Sequence, residues 1–207
     1  MSPVLLVIAG PNGAGKTTVT ARLRAERWSE GVEYLNPDDV ARDRFGDWNS
    51  PDATLSAARW TTARREELLA SREGLAFETV FSAPDKLDFV SRAKAGGYFV
   101  RLFFIGTSSF RINAARVADR VAQGGHTVPI DKIIARHAKS VANLSPAIVV
   151  ADRVYIYDNS IDDVEARLCA RIREGQLRKV YGPLPNWVDS AVDPLPRHPE
   201  FIDLRLA

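Results

Sequence analysis

The sequence is nearly free of cysteine: Cys169, in VEARLCARI, is the only one in 207 residues. A single cysteine cannot close an internal disulfide, so a reducing compartment suits the chain. Its apolar setting, read as helical, makes Cys169 an inert core residue and not a nucleophile. An excess of charge of one sign is missing too. Lys and Arg number 28 and Asp and Glu 26, a net charge of +2. That balance gives no general attraction to nucleic acid or to a membrane surface. Long apolar runs are also absent. Val4–Ala9 is too short for a signal sequence and has no basic residue ahead of it, and no later run reaches the length of a bilayer span. A cytoplasmic protein with neither nucleic acid nor membrane as partner is expected. No internal repeat marks the chain, and its length and 45% hydrophobic content suit one domain with a full core.

What is present is an alternation of strand and helix signals. VLLVIA (Val4–Ala9), VEYLN (Val32–Asn36), LAFETVF (Leu75–Phe81), YFVRLFFIGT (Tyr98–Thr107) and RVYIYDN (Arg153–Asn159) read as strands. Helices are expected from Lys16 to about Arg27, after Pro37, from Ser50-Pro51 to Gly74, after Pro84, over Phe110–Ala122, through PIDKIIARHAKSVANL and through DDVEARLCARIRE. This pattern predicts an α/β fold with a five-stranded, mostly parallel sheet flanked by helices. Residues 1–174 form the expected main unit. The Pro-rich segment 175–207 is read as an extended tail, either laid on the domain through Trp187 and Phe201 or loosely held.

Ligands of such sheets sit at the carboxyl ends of the strands. There stands Gly10-Pro11-Asn12-Gly13-Ala14-Gly15-Lys16-Thr17, which matches G-x-x-x-x-G-K-[ST] at every position and is followed by Thr18. Backbone N–H groups of such a loop turn inward around phosphates. Lys16 reaches the outer phosphates, Thr17 ligates Mg²⁺, and the helix that follows points its N-terminus at the anion. ATP and Mg²⁺ are therefore the expected cofactors, in a P-loop NTPase fold.

Two absences narrow the class. RLFFIGTSS ends without the aspartate that a motor or switch uses to hold magnesium, and no Asn/Thr-Lys-x-Asp stretch reads guanine. The carboxylates lie instead after the second strand, Asp38 and Asp39, and within the third, Glu78. Asp38 is read either as the base that takes a proton from an acceptor hydroxyl or as a helix N-cap. Glu78, in an apolar strand, needs a partner, either Mg²⁺ through water or a substrate hydroxyl. Arg116 and Arg120 share a helical face, and Arg136 follows beyond a Gly-Gly turn. They read as a helical lid over 108–145 that neutralises a transferring phosphoryl group, or as a solvated arginine face. His126, in GGHTVP, is a loop residue or a substrate contact.

GPNGAGKTT, NPDD, FETVFS, RVADRVAQGGHTVP…ARHAKSVANL and YIYDNS, in that order over Val4–Ser160, together resemble the zeta-toxin family of P-loop kinases, especially its small bacterial zeta-like members. The resemblance implies an ATP- and Mg²⁺-dependent kinase that phosphorylates the 3′-hydroxyl of the N-acetylglucosamine unit of UDP-N-acetylglucosamine, and a separate small helical antitoxin that blocks the ATP site. It implies that Lys16, Asp38, Arg120 and Arg136 are catalytic and that Asn159 joins the P-loop in holding ATP. Asn36, Asp38, Glu78, Thr79, Arg116 and His126 form the implied substrate side, with Thr17 and Glu78 at the metal. This chain reads Asn36-Pro37-Asp38 where the well-studied toxins have Asp-x-Asp, and its GGHTVP lid is of the zeta-like type. Both departures fall on the substrate side and leave the acceptor open. A housekeeping kinase of gluconate or shikimate type and a non-enzymatic nucleotide-binding module are the alternatives.

Overall fold

The computed structural model describes residues 2–23, 26, 30–46, 50–125 and 127–205. An eight-stranded sheet forms its centre: β1 (Val4–Ala9), β2 (Glu33–Leu35), β3 (Leu75–Thr79), β4 (Phe99–Gly106), β5 (Arg153–Asp158), β6 (Arg167–Arg173), β7 (Gln176–Val180) and β8 (Arg197–Asp203), in the order β2-β3-β1-β4-β5-β6-β7-β8. The strands from β2 to β5 pair in parallel, β6 and β7 run antiparallel to their predecessors, and β8 pairs in parallel with β7.

The helices are α1 (Lys16–Leu23), α2 (Pro37–Phe45), α3 (Pro51–Ser71), α4 (Pro84–Ala95), α5 (Phe110–Ala122), α6 (Ile130–Val150) and α7 (Asn186–Val192). Alternate residues of β1 feed two cores. Leu5, Val7 and Ala9 join Leu68 of α3, Phe89 of α4, Leu144 of α6 and Val188 of α7 on one face. Leu6 and Ile8 join Val19 of α1 on the other. A strand buried on both faces carries a continuous apolar run, which is why VLLVIA needs no polar alternation. No helix among the described residues is long and apolar enough to cross a membrane.

The expected α/β class and P-loop architecture hold; the strand count does not. DDVEARLCARIRE is not a helix: Arg167–Arg173 form strand β6, with Cys169 buried in it. The physical reason lies in the turn that follows. Glu174 (φ 50°) and Gly175 (φ 73°) both take left-handed backbone between the paired residues Arg173 and Gln176. A two-residue turn of that kind matches the twist of a β-hairpin. Arg171 and Arg173 then lie on one face, and Ala170 and Ile172 are buried on the other. The segment after Gly175 is likewise not merely extended, since it contains β7, α7 and β8.

Helix α6 also outruns its expected end. It passes through Pro146 to Val150. Loss of one backbone hydrogen bond at Pro146 is offset by burial of Ala147 and Ile148 beyond it.

Trp187 and Phe201 do pack on the core. The Trp187 ring lies 6.0 Å from that of Phe104, and its Nε1 donates to Asp158 Oδ1 at 2.9 Å. Trp187→Ala therefore removes both a large apolar contact and the donor to Asp158. It is expected to lower unfolding free energy by about 3 kcal/mol, measured by urea denaturation with an unchanged m-value.

Candidate active site

The phosphate cradle begins where β1 ends. The Gly10 N–H donates to the Thr79 carbonyl of β3 at 3.2 Å. At Gly10 φ is 148°, and a Cβ there would stand 2.0 Å from the Ile105 carbonyl oxygen of β4. Only glycine lets the loop lie this close to the neighbouring strand. The rest of the loop is tied from outside. Asn113 of α5, with no exposed surface, donates from Nδ2 to the Asn12 carbonyl at 2.6 Å, while its Oδ1 accepts from the buried Thr107 hydroxyl. Asn159 donates from Nδ2 to the Ala14 carbonyl at 2.9 Å. Helix α1 starts at Lys16, so its unpaired N–H groups open onto the cradle.

Lys16 donates to the carbonyls of Gly10 at 2.9 Å and Pro11 at 3.1 Å. Burial pushes its ammonium pKa down to about 8; Glu78 and Asp38 pull against that, and Arg120 adds to it. Asp38 sits in the first turn of α2, but the cap is Asn36, whose Oδ1 accepts from the Asp38 N–H at 3.0 Å. The Asp38 carboxylate is thus not consumed as a cap, and no described group donates to it. Glu78 is different. Its Oε1 accepts from Thr20 at 2.6 Å and from Tyr34 at 2.7 Å. Burial, with Glu78 beside it, holds the Tyr34 hydroxyl far above its ordinary pKa, so it remains a donor.

Lys16, Thr17, Asn36, Asp38, Glu78, Thr79, Arg120 and Arg136 line one cavity of about 460 Å³, with Asn12 and Gly13 at its edge. Arg136 Nη1 also reaches Asn12 Oδ1 at 3.4 Å. Thr79 turns its hydroxyl to accept from the Phe81 N–H at 3.0 Å. Phe81, in the cavity wall, has a left-handed φ of 59°, and its carbonyl accepts from Asn143 Nδ2 at 2.9 Å. A bulky residue takes that conformation only when its surroundings enforce it.

Other expected site residues lie elsewhere. Arg116 does not line the cavity. It donates to the Asn159 carbonyl at 2.8 Å and pairs with Asp162, so it braces the loop after β5. Thr18 is exposed on α1, and Pro11 and Ala14 are buried within the loop. His126 lies outside the described residues. Sequence reasoning missed Tyr34, Asn113, Arg65 and Lys86. Asn113 had a signal, because it shares the buried face of α5 with Val117, where an asparagine needs a partner.

The oxygen donors present suit Mg²⁺. Glu78 Oε2 and the Asp38 carboxylate accept no described hydrogen bond, and the Thr17 hydroxyl is exposed at the cavity. Among the described residues no group of three or more His, Cys, Asp or Glu could hold a metal ion.

Comparisons with known proteins agree with this fold. The zeta toxin family model matches residues 1–164. An uncharacterized protein of Haemophilus influenzae is 26% identical over 128 residues, covering 62% of this chain and 88% of that protein. A structure from the PezAT chromosomal toxin-antitoxin system of Streptococcus pneumoniae superposes with a TM-score of 0.55 at 18% identity, over 80% of this chain and 70% of that one. The AvrRxo1-ORF1:AvrRxo1-ORF2 complex with ATP gives a TM-score of 0.56 at 17% identity, over 85% of this chain and 60% of that one. With the family's model spanning strands β1–β5, the P-loop and the cavity wall, the chain belongs to the zeta toxin family.

Proposed function

We propose that the protein is an ATP-dependent kinase that transfers the γ-phosphoryl group to a hydroxyl of a UDP-sugar such as UDP-N-acetylglucosamine. The observation that carries the reading is one cavity in which an uncommitted carboxylate, Asp38, faces the P-loop lysine and two lid arginines. Family membership supports phosphotransferase chemistry. Thr17 would hold a bound Mg²⁺, which would supply positive charge against the phosphates.

In this reading Lys16 leaves the Gly10 and Pro11 carbonyls for the outer phosphates. Thr20 and Tyr34 fix Glu78, whose remaining oxygen holds the acceptor hydroxyl. Asp38 takes that hydroxyl's proton as the acceptor oxygen bonds to the γ-phosphorus and the bond to the β-phosphate oxygen breaks. Arg120 and Arg136 neutralise the group in flight. ADP and the phosphorylated acceptor leave. The protein works in the cytoplasm, as a P-loop unit over 1–174 that 175–207 completes. A separate antitoxin holds it in check, a reading supported by the toxin-antitoxin system among its structural relatives.

Radiolabelled ATP with a panel of sugar nucleotides, nucleosides and sugars tests the reading. Label is expected on a UDP-sugar, with Lys16→Ala lowering transfer by about 10²–10³-fold. Expression should arrest bacterial growth, and Lys16→Ala should relieve the arrest. ATP binding without label on any acceptor would overturn the assignment.

The depressed Lys16 pKa gives a second test. Nucleotide binding needs the cation, and the free protein loses it as pH rises through about 8. Affinity is expected to fall above that pH, and binding there to take up a proton, read by calorimetry in buffers of different ionisation enthalpy. Lys16→Met should flatten the profile.

A further inference from the structure

Because Arg167–Arg173 is a strand, Arg171 and Arg173 share one face of the sheet. On a helix, residues two apart would point about 200° from each other. The face they share also carries Leu6, Ile8 and Phe103. Among the described residues α1 is the only helix in the apolar cluster on this side, and that cluster reaches no further across the sheet than Tyr155 and Tyr157 of β5 and Ala166. Helices α3, α4, α6 and α7 pack on the opposite face.

Two rows of side chains cross the uncovered part. Arg101, Arg153 and Arg173 stand directly opposite one another on β4, β5 and β6. Phe103, Tyr155, Arg171 and Lys179 form the next row, from β4 to β7. The rings of Phe103 and Tyr155 stack at 4.9 Å, and the Arg171 guanidinium lies over Tyr155 at 5.5 Å. Arg171 also donates from Nη1 to the Tyr181 hydroxyl at 3.3 Å, and Lys179 Nζ lies 4.7 Å over the Tyr181 ring. None of these cations is buried.

Like charges directly opposite on neighbouring strands repel, at a strand spacing of about 4.8 Å. Arg153 sits between two arginines, and Arg171 faces Lys179. Among the described residues Arg153, Arg171 and Lys179 make no ion pair. Arg173 pairs with Glu174, in the hairpin turn, at 3.4 Å. The face therefore gathers positive charge that the protein itself leaves largely unneutralised, and a polyanion would relieve the repulsion. None of these residues lines the nucleotide cavity. An acidic peptide would meet the charges but no free main chain, because β4 to β7 are each paired on both sides. A phosphodiester chain needs none. Its phosphates take arginine forks, and its bases take rings and guanidinium planes.

We infer that this sheet face, centred on Arg153, Arg171, Arg173 and Lys179, binds single-stranded nucleic acid at a site separate from the nucleotide cavity. The inference does not depend on which acceptor the kinase uses. The near balance of charge over the whole chain gives no attraction of this kind; it arises from cations that the β6 hairpin brings onto one face.

Fluorescence anisotropy with labelled oligo-U and oligo-dT of about 20 nucleotides, in the presence of a saturating non-hydrolysable ATP analogue, tests the site. Binding to the parent is expected to weaken between about 50 and 200 mM salt, with a slope of log K against log salt of about −2 to −3, as three or four neutralised phosphates require. The double variant Arg153→Gln/Arg173→Gln should lose about 10-fold or more in affinity, and its slope should be shallower by about 1. Arg153→Lys/Arg173→Lys, which keeps the charge, should stay within about 3-fold of the parent. Both variants should bind the ATP analogue as the parent does, which also reports a native fold.

The salt slope and the effect of the ATP analogue are read on the parent and need no variant to fold. Failure of both oligonucleotides to bind the parent at about 100 μM overturns the site. So does binding that the ATP analogue abolishes, which belongs to the cavity, or binding that the glutamine variant retains in full. An oligoglutamate peptide of similar length that binds as tightly as the oligonucleotides overturns nucleic acid as the occupant and makes the face a dock for an acidic protein.

Discussion

The close approach of Gly10 to the Ile105 carbonyl fixes the rest of the site. With only 2.0 Å available for a side-chain carbon, the backbone after β1 must lie against the end of β4. That contact sets where the loop turns and hence where α1 begins and where Lys16 emerges. Asn113 and Asn159 then pin the loop at Asn12 and Ala14. Loop carbonyls that would otherwise drift are each held by a side-chain amide from a different element. The cradle is therefore prepared before any phosphate arrives, and such preorganisation is what makes backbone dipoles effective in catalysis.

Around this fixed loop the two carboxylates differ in environment. Glu78 has one oxygen occupied by the hydroxyls of Thr20 and Tyr34. It is oriented and suited to holding a group in place. Asp38 is spared capping duty by Asn36. It is suited to accepting a proton. The cations are divided in the same way. Lys16, Arg120 and Arg136 line the cavity from the P-loop, α5 and α6, and Arg65 on α3 packs beside the Phe77 and Phe89 rings. Opposed environments, more than residue types, assign the roles.

Much of this was legible in the sequence. The glycine-lysine motif between an apolar run and a helix located the cradle. The end of each parallel strand pointed to Asp38 and Glu78. What failed depended on contacts that a linear pattern does not carry. β6 was read as a helix because VEARLCARIRE also fits a helical period, and only the Glu174-Gly175 turn decides for a hairpin. Arg116 and Arg120 do share a helical face, but they stand about 6 Å apart along the axis. That displacement puts Arg120 in the cavity and Arg116 on the loop after β5. Asn159, expected to join the P-loop in holding ATP, donates its side-chain amide to the Ala14 carbonyl of that loop. Arg65 was invisible because its burial arises from Phe77 and Phe89, which are distant in the chain.

The account stands or falls on the division of labour between the loop that binds the donor and the carboxylate that activates the acceptor. Single-turnover transfer by Asp38→Asn, measured beside its equilibrium affinity for ATP, tests that division most directly. The account predicts ATP affinity within about 2-fold of the parent and a transfer step slower by roughly 10²–10⁴-fold. Transfer at a near-parental rate would contradict it.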